Sequence, residues 1–227
     1  MDDIFEKEMR KATVFKDRNV ISPHYIPETL PHREKEIERM MKALAPALKS
    51  NNYNNLFIYG KTGTGKTSST RRVIEKLLAV KEKYNANVDA VYVNCRTSDT
   101  KYQVFLKITE HFFSNEQFNG FALQHLIDKC VSYIGKRNTN VVVVLDELDM
   151  VKNLDDLMYA LTRMNDELKS GHMGIIGITN NLFFKEQLDP RSKSTLCEEE
   201  LVFAPYDADQ IKEILTQRAK MATRKTP

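Results

Sequence analysis

A glycine-rich octapeptide at residues 60–67 constrains the fold of this chain more than any other feature. Its letters, GKTGTGKT, fit the pattern G-x-x-x-x-G-K-[ST], which joins a buried strand to the start of a helix. An apolar run at residues 56–59 comes just before it, and residues 73–78 place apolar side chains on one face of a helix just after it. Glycines let successive N–H groups and a helix N-terminus face a phosphate. The pattern therefore predicts a nucleoside triphosphate site.

The loop also carries the polar groups that such a site needs. Lys66 would reach the terminal phosphates, and the Thr67 hydroxyl would ligate Mg²⁺. A chance match in a turn rich in glycine and threonine is disfavoured by the strand and helix on either side. The predicted cofactors are ATP and Mg²⁺, and the residues expected to contact the nucleotide are Thr62, Gly63, Thr64, Gly65, Lys66, Thr67 and Ser68.

A second motif lies at residues 140–149. Its first six residues, Asn-Val-Val-Val-Val-Leu, are typical of a parallel strand buried on both faces. Asp146 and Glu147 follow directly, and they predict a carboxylate that holds Mg²⁺ through water and a base that activates the attacking water. Acidic residues that merely close a strand are the alternative, but an Asp-Glu pair makes that reading weaker. Glu147 also argues against a small-molecule kinase, which has no water to activate.

Composition and charge exclude several classes of protein. The 227 residues are 41% hydrophobic, enough for a proper core, and the net charge of +3 does not by itself indicate a nucleic-acid binder. The sequence has no apolar segment of membrane-spanning length and no signal-peptide pattern, which predicts a cytoplasmic protein without a membrane partner. Cys95, Cys130 and Cys197 are scattered, which favours thiols in a reducing compartment over a zinc site.

Strand and helix patterns alternate along the chain, which predicts an α/β fold with a parallel sheet. Helices are expected at 33–49 with a kink near Pro46, after the phosphate loop, twice before the Asp-Glu strand, once after it, and from Asp207. Asp207 and Gln210 have the spacing of a capping box. The five expected strands occupy residues 56–59, 88–94, 140–145, 174–179 and 200–203.

Asn180 and Asn181 come directly after the fourth predicted strand. If that strand lies beside the Asp-Glu strand, a polar side chain here would touch the γ-phosphate or the attacking water. An ordinary turn asparagine is the alternative, and the residues alone leave both interpretations open.

Several longer strings carry a family resemblance. In chain order they are ISPHYIPETLPHRE at 21–34, IYGKTGTGKT at 58–67, VLDELD at 144–149, GITNNL at 177–182, LDPRSKS at 188–194 and FAPY at 203–206. Together they resemble the archaeal origin-recognition/cell-division-cycle initiators, a group of AAA+ ATPases. The resemblance covers nearly the whole chain. It implies an AAA+ P-loop NTPase with a five-stranded parallel sheet, helices on both faces, and the start of an α-helical lid.

The resemblance also divides the chain and assigns roles. It implies an N-terminal linker at 1–30, a nucleotide-binding domain at 31–204 and the start of the lid at 205–227. By the same analogy Asn180 is the first sensor, and Arg191 is an arginine finger that acts on nucleotide held by a neighbouring protomer. Tyr206 and Arg218 match lid-side positions that contact nucleotide. Residues 113–123 match an insertion that touches DNA in the family.

The function implied is that of an ATP-binding initiator of DNA replication, in which nucleotide gates origin recognition and helicase recruitment. Its partners would be origin DNA, the replicative helicase and other initiator protomers, and its ATP hydrolysis would be slow. The family continues into a full lid and a winged-helix domain, whereas this sequence stops at Pro227, so we expect weak DNA binding. The alternatives are a P-loop ATPase of recombination or of a mobile element, and a non-hydrolysing, ATP-dependent assembly module.

Overall fold

The computed structural model describes residues 4–6, 13–22, 25–49, 52–190, 193, 196 and 198–224. The chain divides into two compact units: Arg33–Pro205, and a second made of Met1–His32 together with Tyr206–Pro227. Arg191 and Cys197, both singled out from the sequence, lie outside the described residues.

The larger unit is built on a parallel sheet of five strands in the order β2-β3-β4-β1-β5. The predicted fold class, α/β with five parallel strands, is confirmed. The placement of β4 beside β3, on which the role suggested for Asn180 depends, is confirmed as well. The strand bounds are β1 Asn55–Tyr59, β2 Val88–Asn94, β3 Asn140–Asp146, β4 His172–Thr179 and β5 Glu198–Val202.

Helices cover both faces of this sheet. They are α1 Glu34–Leu44, α2 Lys66–Tyr84, α3 Lys101–Phe112, α4 Leu123–Arg137 and α5 Leu154–Glu167. Strand β3, in the interior of the sheet, has no alternation in its sequence because both of its faces are covered. Val141 and Val143 pack against the cluster of α3, α4 and α5. Val142 and Val144 pack on the other face, with α1 and α2. Every residue of β3 is therefore buried, as the continuous apolar run predicts.

Several predicted boundaries differ from the structure by one or more residues, and two of these differences have a clear physical reason. The first helix is α-helical only to Leu44, and a 3₁₀ segment, Ala45–Lys49, continues it. Pro46 lies in that segment, where it has no N–H to continue the α-helical hydrogen bonds, so the α-helix ends before it. Strand β5 begins two residues earlier than expected, at Glu198, because pairing with β1 extends back to Asn55 and brings polar residues into the ladder.

The smaller unit joins the first described part of the chain to the helix α6, Ala208–Ala222. Phe15 forms an antiparallel bridge with Thr223, and the Lys16 N–H donates to the Ala222 carbonyl at 2.7 Å. Asp207 and Gln210 form the predicted capping box at the start of α6. No helix in the described part of the chain is long and apolar enough to cross a membrane.

Candidate nucleotide-binding site

The phosphate loop joins β1 to α2 as the sequence predicts. Gly65 is left-handed, with φ of 87°, and it caps α2 without a side-chain hydrogen bond to the first turn. The N–H groups that open this helix are therefore left to an anion. Gly60 cannot be replaced freely, because a Cβ there would lie 2.6 Å from the carbonyl oxygen of Phe203. Thr62 and Gly63 are exposed at the tip of the loop, whereas Thr64 is buried.

Lys66, at the start of α2, already points back into the loop. Its Nζ donates to the carbonyl oxygens of Gly60 at 2.7 Å and Lys61 at 2.9 Å, and to Asn180 Oδ1 at 2.9 Å. Burial lowers the pKa of Lys66, and the charges of Asp146 and Asp149 partly counteract that effect. The ammonium is thus held among oxygen atoms at the place where a phosphate can replace them.

Thr67 and Asp146 lie together beside the loop. The Thr67 hydroxyl donates to the Asp146 carboxylate, with its oxygen 3.1 and 3.2 Å from the two carboxylate oxygens. A hydroxyl that gives its proton to a carboxylate keeps its lone pairs for a metal ion. No cluster of three or more metal-binding His, Cys, Asp or Glu residues occurs in the described part of the chain. Mg²⁺ commonly takes one or two protein oxygens together with water and phosphate, and Thr67 and Asp146 would provide two such oxygens.

Glu147 follows Asp146 in a left-handed conformation, with φ of 56°. Its Oε1 lies 3.9 Å from Nη1 of Arg96, and its Oε2 is buried without a hydrogen-bond partner. A buried carboxylate oxygen without a donor is costly, and it is free to accept a proton or a hydrogen bond from a water molecule.

Asn180 is held at the end of β4 by Asp149. Asp149 Oδ1 accepts hydrogen bonds from the Thr179 hydroxyl at 2.9 Å and from the Asn180 N–H at 3.3 Å. The third acidic residue of the Asp-Glu motif thus fixes the predicted sensor, a role that sequence reasoning did not assign. Lys66, Thr67, Asp146 and Asn180 are brought together at the carboxyl ends of β1, β3 and β4.

Four further residues were predicted to act on the nucleotide. Arg191 lies outside the described residues. Tyr206 and Arg218 belong to the smaller unit, where Arg218 is on α6 and its Nε is buried without a hydrogen-bond partner. Ser68, in the first turn of α2, is half-buried. The nucleotide contacts assigned to these four residues stay predictions.

Sequence reasoning did not identify Arg33, whose buried side chain contacts the phosphate loop at Thr64. Its side chain is almost fully buried, and Nε donates to the Thr64 carbonyl at 2.8 Å. One terminal nitrogen donates to the Ala204 carbonyl at 2.6 Å, and the other pairs with Glu36 at 3.0 Å. The guanidinium also lies over the Phe203 ring. These partners are as much as 171 residues away in the sequence, so no local signal points to them.

Arg33→Met should lower the free energy of unfolding by about 2–4 kcal/mol, because it leaves two carbonyls without their charged donor. Urea unfolding measures the effect. Arg163→Met is the matched control, since Arg163 also pairs with a carboxylate three residues on, Asp166, and also lies over an aromatic ring, but is exposed. The control should leave the midpoint nearly unchanged. Equal midpoints for the two variants would contradict a role for Arg33 in holding the loop.

Comparison with known proteins agrees with this geometry. The family model described as "AAA domain" matches residues 34–183. The ORC1-type DNA replication protein of Pyrococcus furiosus is 43% identical over 98% of this chain, and that of Archaeoglobus fulgidus is 43% identical over 97%. The chain spans about half the length of these relatives, 54% of each.

A solved structure of Aeropyrum pernix ORC1 in complex with DNA is also similar to this chain. It has a TM-score of 0.85 and 39% identity, and the match covers 94% of this chain and 56% of that one. The chain therefore belongs to the AAA domain family, and the relatives that match almost its whole length are ORC1-type DNA replication proteins.

Proposed function

We propose that this chain is an ATP-binding AAA+ initiator of DNA replication, in which bound nucleotide gates origin recognition and helicase recruitment. The observation that carries the proposal is the meeting of Lys66, Thr67, Asp146 and Asn180 around the phosphate loop. The ORC1-type relatives supply the replication context, and the Aeropyrum pernix ORC1 structure, solved with DNA, supports DNA as a partner. Other initiator protomers and the replicative helicase are the remaining proposed partners.

In the proposed mechanism, Lys66 leaves the loop carbonyls and binds the terminal phosphates of ATP. Thr67 and Asp146 would hold Mg²⁺, which when bound neutralises charge on the phosphates. Asn180 would turn its amide toward the attacking water once Lys66 has moved. Glu147 would accept the proton of that water at Oε2, the oxygen that has no donor.

The remaining contacts come from residues outside the phosphate-loop group. Arg191 is proposed to act on nucleotide held by a neighbouring protomer, which would make hydrolysis depend on assembly. Tyr206 and Arg218 are proposed to contact the nucleotide from the lid side, where an aromatic ring and a cation suit base and phosphate. Hydrolysis is proposed to be slow, because part of the catalytic charge would be supplied only in an assembly.

DNA binding by this 227-residue chain should be weak, with little sequence preference and a modest salt dependence. A net charge of +3 and few clustered cations neutralise few phosphates. Binding should increase with ATP if nucleotide orders the site. The measurement is fluorescence anisotropy with labelled origin and scrambled duplexes, with and without ATP, over a salt series. Tight, sequence-selective binding by this chain alone would contradict the expectation.

The DNA contact itself is proposed to lie at residues 113–123 and in the basic segment from Lys220. Phe121 is exposed there and stacks on His125, with ring centroids 4.9 Å apart. Phe121→Ala should therefore lower the remaining affinity by about fivefold or more, the scale of one lost aromatic contact with a base. Tyr84→Ala removes another exposed aromatic ring, at the end of α2, and should leave binding unchanged. Equal losses of DNA affinity in the two variants would contradict a DNA contact at residues 113–123.

ATP turnover separates this proposal from its alternatives. An initiator should hydrolyse ATP slowly and respond to origin DNA. A P-loop ATPase of recombination or of a mobile element should respond equally to duplexes without an origin. An assembly module that uses ATP only as a ligand should bind it without turnover.

A further inference from the structure

Tyr92, on β2, contacts the predicted metal ligand, and none of the roles assigned so far includes it. Its hydroxyl donates a hydrogen bond to Oδ2 of Asp146. The two strands run side by side, and Tyr92 is paired in register with Val144, two residues before Asp146. The tyrosine ring is long enough to span that offset and reach the end of β3.

The Asp146 carboxylate is held on both of its oxygens. The N–H of Glu147 donates to Oδ1 at 3.0 Å, while Tyr92 donates to Oδ2. The Cβ–Cγ torsion of an aspartate is broad, so a carboxylate with one anchor can rotate about that bond. Two donors on opposite oxygens fix the plane of the carboxylate. Thr67, the other predicted ligand, donates to the same group.

Tyr92 is itself held by its neighbours. Its half-buried ring packs against the apolar cluster of α1 and α2, and the guanidinium of Arg71 lies 4.5 Å from the ring centroid. The ring is thus held with its hydroxyl on Asp146.

We propose that Tyr92 is a positioning residue for Mg²⁺, which keeps the Asp146 carboxylate and the Thr67 hydroxyl oriented to take the ion together. This inference rests on the proposed function, since it requires that Mg²⁺ accompanies ATP at this site. Hydrogen-bond donors behind metal ligands affect metal affinity by about 10–100-fold when they are removed. The role is separate from that of Glu147, which acts on water.

The test compares ATP affinity with and without Mg²⁺. Fluorescently labelled ATP is titrated into wild type and Tyr92→Phe by anisotropy, once in EDTA and once in saturating Mg²⁺. The ratio of the two affinities measures the coupling between nucleotide and metal. In Tyr92→Phe this ratio should fall about tenfold or more, while the affinity in EDTA stays within about twofold of wild type. A purely structural role would not change the ratio.

Tyr133→Phe is the matched control. The Tyr133 hydroxyl also approaches a carboxylate, Asp89 Oδ2 at 3.5 Å, and that carboxylate is not part of the nucleotide site. This control should keep the wild-type ratio. Thermal unfolding of both variants without ligand, compared with wild type, checks that neither substitution disturbs the fold. A second measurement, the binding of Mn²⁺ to each ADP-loaded protein by electron paramagnetic resonance, should show the same weakening in Tyr92→Phe alone.

The outcomes distinguish the role proposed for Tyr92 from the proposed ATP-binding function on which it rests. A wild-type ratio in Tyr92→Phe, or an equal loss of affinity in EDTA and in Mg²⁺, would overturn the role of Tyr92 and leave ATP binding intact. If Mg²⁺ does not strengthen ATP binding by wild type, that result contradicts the Mg²⁺ site proposed at Thr67 and Asp146, and the role of Tyr92 with it. If wild type binds no ATP in either condition, the proposed function fails and the role of Tyr92 fails with it.

Discussion

Lys66→Ala should weaken ATP binding by about 2–4 kcal/mol, the scale of losing charge-assisted hydrogen bonds to phosphate. Expressed as affinity, this is roughly a 30- to 900-fold increase in Kd. In the structure Lys66 Nζ lies within 2.9 Å of three oxygen atoms, two of them loop carbonyls, so it is already placed where phosphate oxygens would compete. Isothermal titration calorimetry with ATP measures the change.

Lys61→Ala is the control for this experiment. Lys61 is an exposed cation of the same loop, and only its backbone carbonyl contacts Lys66. Its substitution should change Kd by no more than a few-fold, because an exposed charge is screened by solvent. Unchanged ATP affinity in Lys66→Ala, with the protein still folded by circular dichroism, would rule out the phosphate loop as the nucleotide site.

Glu147→Gln should lower ATP turnover by about 10²-fold or more while ATP remains bound. Glutamine keeps the size of the side chain and can still form hydrogen bonds, but it cannot accept the proton of the attacking water. Single-turnover hydrolysis of radiolabelled ATP, in parallel with equilibrium binding, separates the two effects. The same turnover in wild type and variant would mean that Glu147 is structural.

Arg96→Gln distinguishes loss of the base from loss of its ion pair. This change removes the cation 3.9 Å from Glu147 but leaves the carboxylate. Arg96 is 74% exposed, so the pair contributes about 1 kcal/mol or less, and turnover should change only a few-fold. A loss as large as that of Glu147→Gln would show that the position of Glu147, and not only its basicity, depends on Arg96.

Local sequence was sufficient to predict the helices and strands and the glycine-rich loop between β1 and α2. The glycine pattern of residues 60–67 requires a particular backbone path, and the run at 140–145 is apolar because both of its faces are buried. Position after a strand raised contact with the γ-phosphate or the attacking water as one of two interpretations of Asn180, and the structure places its side chain on Lys66 of the phosphate loop. These features depend on neighbours in the sequence, or on the rule that parallel strands end at one edge of a sheet.

The supporting residues could not be predicted in the same way. Arg33 has its partners at Thr64 and Ala204, and Tyr92 has its partner at Asp146, 54 residues on. An arginine before a helix and a tyrosine in a strand are each common, and their spacing from these partners has no fixed period. Their roles become visible only after the fold brings the segments together. Asp149 is an intermediate case, because the motif that contains it was identified from the sequence but its hydrogen bonds with Thr179 and Asn180 were not predicted.

The pairing of the first described residues with α6 has a consequence for folding during synthesis. Thr29 and His32 bond to Gln217 and Glu213 across 188 and 181 residues of chain. Contacts of such separation form late, because the chain between them must first be made and closed into a loop. The five-stranded sheet can therefore assemble on the ribosome while the segment around Thr29 and His32, which precedes it in the chain, still lacks its partner in α6. This segment is thus made before the sheet but reaches its final contacts after it.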